Sequence, residues 1–94
     1  EVKVIDSLLI PTAFTPNHDG LNDVWEIITF EKYRDATVEV YNRWGQRVYT
    51  STAKDYHPWD GKFEGQPALP GSYVYYIRLR KNADVIKGLL NIIR

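Results

Sequence analysis

The sequence predicts an all-β fold, an immunoglobulin-like β-sandwich of about seven short strands. Clusters of glycine, proline, asparagine and aspartate separate short runs of β-branched and aromatic side chains along the whole chain. No segment has a convincing helical period, and residues 30–35 allow one helical turn at most. Several short strands at close spacing, with no helices between them, are typical of a sandwich or a barrel.

Six segments have the composition of strands. They are residues 8–10, 24–30, 36–42, 46–50, 72–80 and 85–93. The clearest is the third, in which Val38 and Val40 alternate with polar side chains. A tight turn joins the third strand to the fourth, and Asn82–Ala83 joins the fifth to the sixth, so each pair is predicted to form a hairpin. Residues 1–7 are a linker or the start of the first strand, and Lys62–Phe63 can pair briefly.

Length, charge and hydrophobic pattern argue against several classes of protein. The 94 residues suffice for one domain, so residues 1–94 are predicted to form a single domain. Lys plus Arg equals Asp plus Glu, 12 each, which argues against a nucleic-acid binder and against capture by an anionic membrane. No apolar run approaches the ~20 residues of a transmembrane helix. The chain opens at Glu1 without a Met, so we expect upstream domains in a longer protein.

Carboxylate and amide side chains gather around one glycine in residues 17–23. Calcium takes several oxygen ligands from a tight loop, so this segment is a candidate calcium site. The candidate ligands are Asn17, Asp19, Asn22 and Asp23. The match to a calcium loop is partial, because Thr15 at its first position is a poor ligand and Glu26 at its twelfth lies inside a predicted strand. The alternative is a turn whose Asx side chains cap their own backbone, and the sequence leaves both open.

The three tryptophans admit two interpretations. Aromatic side chains usually fill the core of a small sandwich, and Trp59, followed by Asp60–Gly61, is predicted to close one end of it. A carbohydrate-binding platform would instead require exposed, coplanar rings at Trp25, Trp44 and Trp59. The tyrosines within 72–80 break strict alternation, so at least one of them is predicted to face outward.

Catalysis finds little support in the sequence. There is no Cys nucleophile, and no serine has the glycine elbow of a hydrolase. His18 and His57 lie far apart and outside any metal-ligand spacing. We therefore expect a domain without enzymatic activity.

Three distinctive motifs follow one another along the chain. They are IPTAFTPNHDGLND at 10–23, VYNRWGQRVY at 40–49, and WDGK at 59–62 followed by PGSYVY at 70–75, Lys87–Gly88 and Ile93–Arg94. In this order and spacing they resemble the gliding-motility-associated C-terminal domain, the type B sorting domain of the Bacteroidetes type IX secretion system. The resemblance covers the chain from about Leu8 to Arg94. One departure is His18, where the family usually has glycine, and this puts the backbone shape of that loop in doubt.

The resemblance implies a sorting signal without catalytic function. Such domains direct a large surface or secreted protein, an adhesin or an enzyme, across the outer membrane through the type IX translocon. An outer-membrane partner protein assists them, and any chemistry lies in upstream domains of the same chain. The implied location is the cell surface or the medium, with no nucleic acid bound and no insertion into the membrane.

Two segments are candidates for recognition by the translocon. The first is the turn after the third strand, which is either an ordinary hairpin turn with Gly45 at positive φ or an exposed epitope. The second is the final strand, whose free end allows a partner to add a strand beside it. The candidate partner-binding residues are Asn42, Arg43, Trp44, Gly45, Lys87, Gly88 and Arg94.

Two other functions compete with sorting. A carbohydrate-binding or adhesion module predicts exposed tryptophan and tyrosine rings in a groove. A structural spacer predicts that the domain also works in mid-chain and that export survives its deletion.

Overall fold

Short strands dominate the computed structural model, which describes residues 2–5, 8–18, 20, 22–80 and 85–94. Within these residues the chain forms nine strands and one 3₁₀ turn, Phe30–Lys32. The strands are β1 Val2–Ile5, β2 Leu8–Pro11, β3 Ala13–Phe14, β4 Thr37–Tyr41, β5 Arg47–Thr52, β6 Lys62–Phe63, β7 Gln66–Pro67, β8 Gly71–Arg78 and β9 Val85–Ile92. The predictions of an all-β fold and of a single helical turn at 30–35 are confirmed.

A five-stranded sheet with the order β3-β9-β8-β4-β5 forms the larger layer. Its centre consists of antiparallel pairs, in which Val40 lies opposite Tyr75 and Tyr75 lies opposite Gly88. Both predicted hairpins, β4–β5 and β8–β9, are present as antiparallel pairs. The predicted hairpin connection Asn82–Ala83 lies outside the described residues. At one edge β3 runs parallel to β9 and places Ala13 opposite Asn91.

The two faces of this sheet differ because successive side chains of a strand point to opposite sides. The inner face is apolar and buried, with Val38, Val40, Tyr73, Tyr75, Ile77, Leu90 and Ile92. The outer face carries Glu39 and Tyr41 from β4, Val74, Tyr76 and Arg78 from β8, and Val85, Lys87 and Leu89 from β9. Tyr76 is the outward tyrosine that the broken alternation predicts. No strand covers the outer face within the described part of the chain.

A less regular layer covers the inner face. It contains the β1–β2 hairpin, the short β6–β7 hairpin and two extended segments around Trp25 and Trp59. Leu8 and Ile10 of β2 are fully buried between this layer and the sheet. The sequence placed residues 1–7 as a linker or as part of the first strand, whereas Val2–Ile5 is a separate strand paired with β2.

The predicted strand at 24–30 is wrong. This segment does alternate, with Trp25 and Ile27 buried and Ile28 exposed. Its two ends pair with different segments, Trp25 with Trp59 and Ile28 with Leu9, so two isolated bridges replace a continuous ladder. The segment then ends at Thr29, whose left-handed φ of 69° turns the chain into the 3₁₀ turn. A strand-like composition therefore did not lead to continuous strand pairing in this segment.

Trp59 occupies the centre of an aromatic cluster. Its ring centroid lies 5.6 Å from that of Phe14, 5.8 Å from Tyr49 and 5.5 Å from Tyr73. The indole N–H donates to the carbonyl oxygen of Lys62 at 2.9 Å, so a buried donor is satisfied within its own loop. The prediction that Trp59 anchors this loop in the core is confirmed.

Candidate partner-recognition site

The turn between β4 and β5 is held together by the side chain of Asn42. Its Oδ1 accepts the backbone N–H of Trp44 at 2.9 Å and that of Gln46 at 3.0 Å, while its Nδ2 donates to Gln46 Oε1 at 2.9 Å. Gly45 has φ 78°, which is the predicted positive value and favours glycine. The turn is thus fixed by side-chain to backbone hydrogen bonds before any partner arrives.

Trp44 is the exposed residue that this turn presents. Its side chain is 66% exposed, although the two other tryptophans are buried. The Arg43 guanidinium carbon lies 5.2 Å from the Trp44 ring centroid, within cation–π range. Trp44 also borders a groove of about 330 Å³ that is lined on its other side by Phe63 and Leu69. A preorganised, solvent-exposed tryptophan beside an arginine has the composition of an interface hot spot.

Arg43 also reaches the start of β8. A Cβ placed on Gly71 would lie 3.1 Å from Arg43 Nη2, and Gly71 has φ 131°. Both the close approach and the positive φ favour glycine at this position. The sequence motif PGSY therefore makes room for the guanidinium of the facing turn.

The Arg94 side chain lies at the same end of the sheet and donates hydrogen bonds to backbone carbonyl oxygens there. Its Nε and Nη2 donate to the carbonyl oxygen of Ala68 at 3.2 and 3.0 Å. Nη1 donates to Pro16 at 3.1 Å, and Nη2 donates to Gly61 at 3.2 Å. One guanidinium thus joins the Pro16 loop to both ends of the β6–β7 hairpin, an arrangement that its planar fork of donors suits. The partner-binding role of Arg94 stays a prediction, and the observed contacts are internal.

Tyr73 lies between the two arginines of this end. Its hydroxyl donates to the carbonyl oxygen of Leu69 at 2.6 Å. Burial raises the pKa of Tyr73, and the positive charges of Arg43 and Arg94 offset part of that rise. Both guanidinium groups therefore act on the same phenol. The structure brings the turn at 42–45 and Arg94 together at one end of the sandwich.

Lys87 and Gly88 lie elsewhere on the sheet. Lys87 is on the outer face opposite Tyr76, with its ammonium nitrogen 6.0 Å from the Tyr76 ring centroid. Gly88 faces the interior, where a Cβ would lie 2.3 Å from the hydroxyl oxygen of Tyr75. Gly88 therefore has a packing function, which the sequence did not indicate.

A second, larger groove of about 590 Å³ crosses the outer face of the sheet. It runs from the turn at Arg43 past Tyr41, Val74 and Tyr76 to Val85. These side chains were not among the predicted site residues, although the period-2 pattern of their strands places them together on the outer face. The groove connects the Trp44 turn with the face that carries Lys87.

The cations of this outer face outnumber its acids. Arg43, Arg78, Lys87 and Arg47 lie on it or at its rim, against the single carboxylate of Glu39 among the described strand residues. Arg47 Nη1 is 3.0 Å from Glu39 Oε2, so that pair is mutually neutralised. The sheet face is therefore cationic in a chain whose formal net charge is zero.

The loop at 17–23 is organised by Asp23. One carboxylate oxygen accepts the N–H of His18 at 2.9 Å and the other accepts the N–H of Gly20 at 2.8 Å. This is an Asx-capped turn, which the sequence left open as the alternative to a calcium site. Asp19, one of the candidate ligands, lies outside the described residues, and those described contain no group of three His, Cys, Asp or Glu side chains placed to hold a metal. Calcium at Asn17, Asp19, Asn22 and Asp23 stays a prediction.

His18 adopts a left-handed backbone conformation with φ 62°. This is the conformation that glycine adopts most readily, at the position where the resembling family usually has glycine. The loop therefore keeps a glycine-like backbone shape with a histidine in it, at a cost of about 1 kcal/mol.

Comparison with known proteins gives one family. A family model described as the CHU_C type IX secretion signal domain matches residues 8–92. No curated protein matches the chain. Among the described residues no helix has the length and apolar character needed to cross a membrane. The matched range contains the core, both hairpins and the Trp44 turn, and the chain belongs to the CHU_C type IX secretion signal domain family.

Proposed function

We propose that the type IX sorting signal of this domain is recognised at the end of the sandwich that presents Trp44. The observation that carries the proposal is a 66% exposed tryptophan on a turn fixed by three Asn42 side-chain hydrogen bonds. A large exposed side chain normally loses conformational freedom on binding, and a preformed turn lowers that cost. Arg43 adds a cation that can pair with a carboxylate of the partner.

The proposed role is that of a C-terminal sorting module without catalytic activity. Residues 1–94 form one domain that directs a larger surface or secreted protein across the outer membrane. Its partners are the type IX translocon and an outer-membrane partner protein, and the cargo lies upstream in the same chain. Lys87, Gly88 and Arg94 are proposed to support this recognition together with the turn at 42–45.

An export assay tests the sorting role. Residues 1–94 are fused to the C-terminus of a periplasm-directed fluorescent reporter in a bacterium that has a type IX system and its type B partner protein. Reporter on the surface or in the medium, lost when the translocon is deleted, is the expected result. Folded reporter retained in the periplasm would contradict the proposal.

The Trp44→Ala variant tests the recognised surface. Because Trp44 is exposed, we expect its free energy of unfolding to change by no more than about 0.5 kcal/mol. Export is expected to fall by about tenfold or more, as for the loss of an interface hot spot. Val4→Ala is the matched control, because Val4 is 65% exposed on the opposite layer. Unchanged export of Trp44→Ala would remove the Trp44 turn from the signal.

The carbohydrate-binding alternative loses support from the burial of two tryptophans. Trp25 and Trp59 are 0% and 2% exposed, so they cannot form a platform with Trp44. The spacer alternative is separated from sorting by the same export assay. A spacer leaves the reporter in the periplasm and tolerates transfer to mid-chain, whereas the proposed module exports its reporter.

A further inference from the structure

Strand β9 has an unpaired edge along most of its length. On one side all eight of its residues pair with β8. On the other side β3 pairs only with Asn91 and Ile92. From Val85 to Leu90 that side has no strand partner among the described residues.

The direction of the backbone groups along this edge follows from the bonds at its end. The N–H groups of Asn91 and Ile93 point toward β3, where they donate to the carbonyl oxygens of Thr12 and Phe14 at 2.9 and 3.0 Å. Since N–H direction alternates along an extended strand, the N–H groups of Lys87 and Leu89 point to the same side. They are donors at an edge where the described chain offers no acceptor.

This edge lacks most of the devices that proteins use to block strand addition. It contains no proline and no register shift against β8. Val85 and Leu89 are 40% and 61% exposed on the outer face, and Lys87 between them is the charge at the edge. An unpaired edge of this length, with no bulge against β8 and with exposed Val85 and Leu89, is a template for an additional strand.

Beneath the same edge lies the hydroxyl of Tyr75. Tyr75 makes no side-chain hydrogen bond with a described residue, and its ring is buried. The hydroxyl of Tyr75 is fully buried together with its ring, on the inner side of the sheet. It lies where the Cβ of Gly88 would be, within 2.3 Å of that position. Gly88 thus lets a polar group reach the underside of the open edge.

We propose that an extended segment of the type IX partner pairs with the edge of β9 between Val85 and Leu90 and extends the five-stranded sheet. The inference deepens the proposed function and rests on it. The matching segment has apolar side chains beside Val85 and Leu89 and an acidic side chain beside Lys87. A second copy of this chain fits less well, because it would bring a second Lys87 and a second Arg78 to the seam.

Replacing Leu89 by proline tests the pairing. Leu89→Pro removes an edge-facing N–H without removing a bond to β8, a position at which proline is tolerated in edge strands. The matched control is Thr50→Pro in β5, the other edge of the same sheet. Because Ala53 donates its N–H to Ala36 of the neighbouring segment, the alternating N–H of Thr50 points away from β4. Tyr75→Phe, which keeps the ring and removes the hydroxyl, is the second variant.

Each variant is fused to the reporter and its melting temperature is measured alongside export. We expect export of folded Leu89→Pro to fall about tenfold, the effect of losing one strand hydrogen bond and its packing, while Thr50→Pro is exported normally. Tyr75→Phe is expected to reduce export without lowering the melting temperature. In the wild-type domain, amide deuterium exchange at 85–90 is expected to slow when solubilised outer membranes of the type IX bacterium are added, and not with those of a translocon deletion strain.

Several outcomes overturn the inference. Normal export of folded Leu89→Pro and of Tyr75→Phe would show that the edge is not used, while wild-type export would leave the sorting role intact. Equal loss with Thr50→Pro would show that the β9 edge is not special. Wild-type dimers that Leu89→Pro converts to monomers would assign the edge to a second copy. Failure of the wild-type fusion itself would instead remove the proposed function.

Discussion

Removing the guanidinium of Arg94 should destabilise the whole domain. The side chain makes four hydrogen bonds to the carbonyl oxygens of Pro16, Gly61 and Ala68. A hydrogen bond to a charged group contributes about 1.5–3 kcal/mol when buried, but this guanidinium is partly exposed. Assigning about 0.5–1 kcal/mol to each bond gives a loss of about 2–4 kcal/mol for Arg94→Ala.

The expected shift in melting temperature is large for a domain of this size. At about 4–8 °C per kcal/mol, Arg94→Ala should melt at least about 8 °C lower than the wild type. Arg94→Lys should recover less than half of the loss, because one ammonium group cannot reach all three carbonyl oxygens at once. Thermal unfolding followed by circular dichroism measures both variants, with exposed Arg80→Ala as the control for loss of an arginine.

The same variants separate packing from recognition. If Arg94 acts through the fold, Arg94→Ala is exported normally below its melting temperature. If it contacts the partner, the folded variant stays in the periplasm. Melting of Arg94→Ala within about 3 °C of the wild type would refute the reasoning, because it would mean that the four bonds contribute less than about 1 kcal/mol together.

Three further predictions concern packing, pH and calcium. Gly88→Ala should lower the free energy of unfolding by about 2 kcal/mol or more, since its Cβ would lie 2.3 Å from the buried Tyr75 phenol. Adding Tyr75→Leu to Gly88→Ala should recover part of this loss in chemical denaturation, and additive effects of the two changes would contradict the steric account. Burial raises the pKa of Tyr56 from 10.0 to about 12, so its contribution to stability is complete below pH 10 and is lost as pH rises toward 12. In urea titrations the free energy of unfolding of Tyr56→Phe should fall less steeply with pH over that range than that of the wild type. At pH 7 the variant should be about 1 kcal/mol less stable, because the wild-type hydroxyl accepts the Ile27 N–H. The same alkaline slope in both proteins would contradict this account. Calcium and EDTA should give equal melting temperatures, because both Asp23 oxygens already accept backbone N–H groups, whereas a rise of several degrees in calcium would support a calcium site.

The sequence was informative where pairing is local. The β4–β5 and β8–β9 hairpins were predictable because turn residues and alternating side chains stand next to each other in the chain. Observed bounds differ from the predicted ones by one or two residues, as at Gly71–Arg78 against 72–80. The turn at 42–45 was also predictable, because asparagine and glycine carry its hydrogen bonds and its positive φ themselves.

Contacts between distant segments were not predictable from these patterns. The parallel pairing of β3 with β9 has no local signal, and neither do the targets of Arg94. Trp25 and Ile27 were assigned to a strand because they lie in a run of β-branched and aromatic side chains. The pairing of this segment depends on Trp59 and Leu9, which its composition does not specify. The close contact of Gly88 with Tyr75 likewise depends on cross-strand register rather than on either residue alone.

The parallel pairing of β3 with β9 means that the complete sheet cannot form until the end of β9 has been synthesised. Ala13 pairs with Asn91, and the bond from Arg94 to Pro16 spans 78 positions. Pairings of such high contact order form late, and none of them can form on a ribosome until residues 91–94 have emerged. A nascent chain released earlier lacks the end of β9 and leaves β3 without its neighbour. The native structure of this domain can therefore form only after everything encoded before it has been translated.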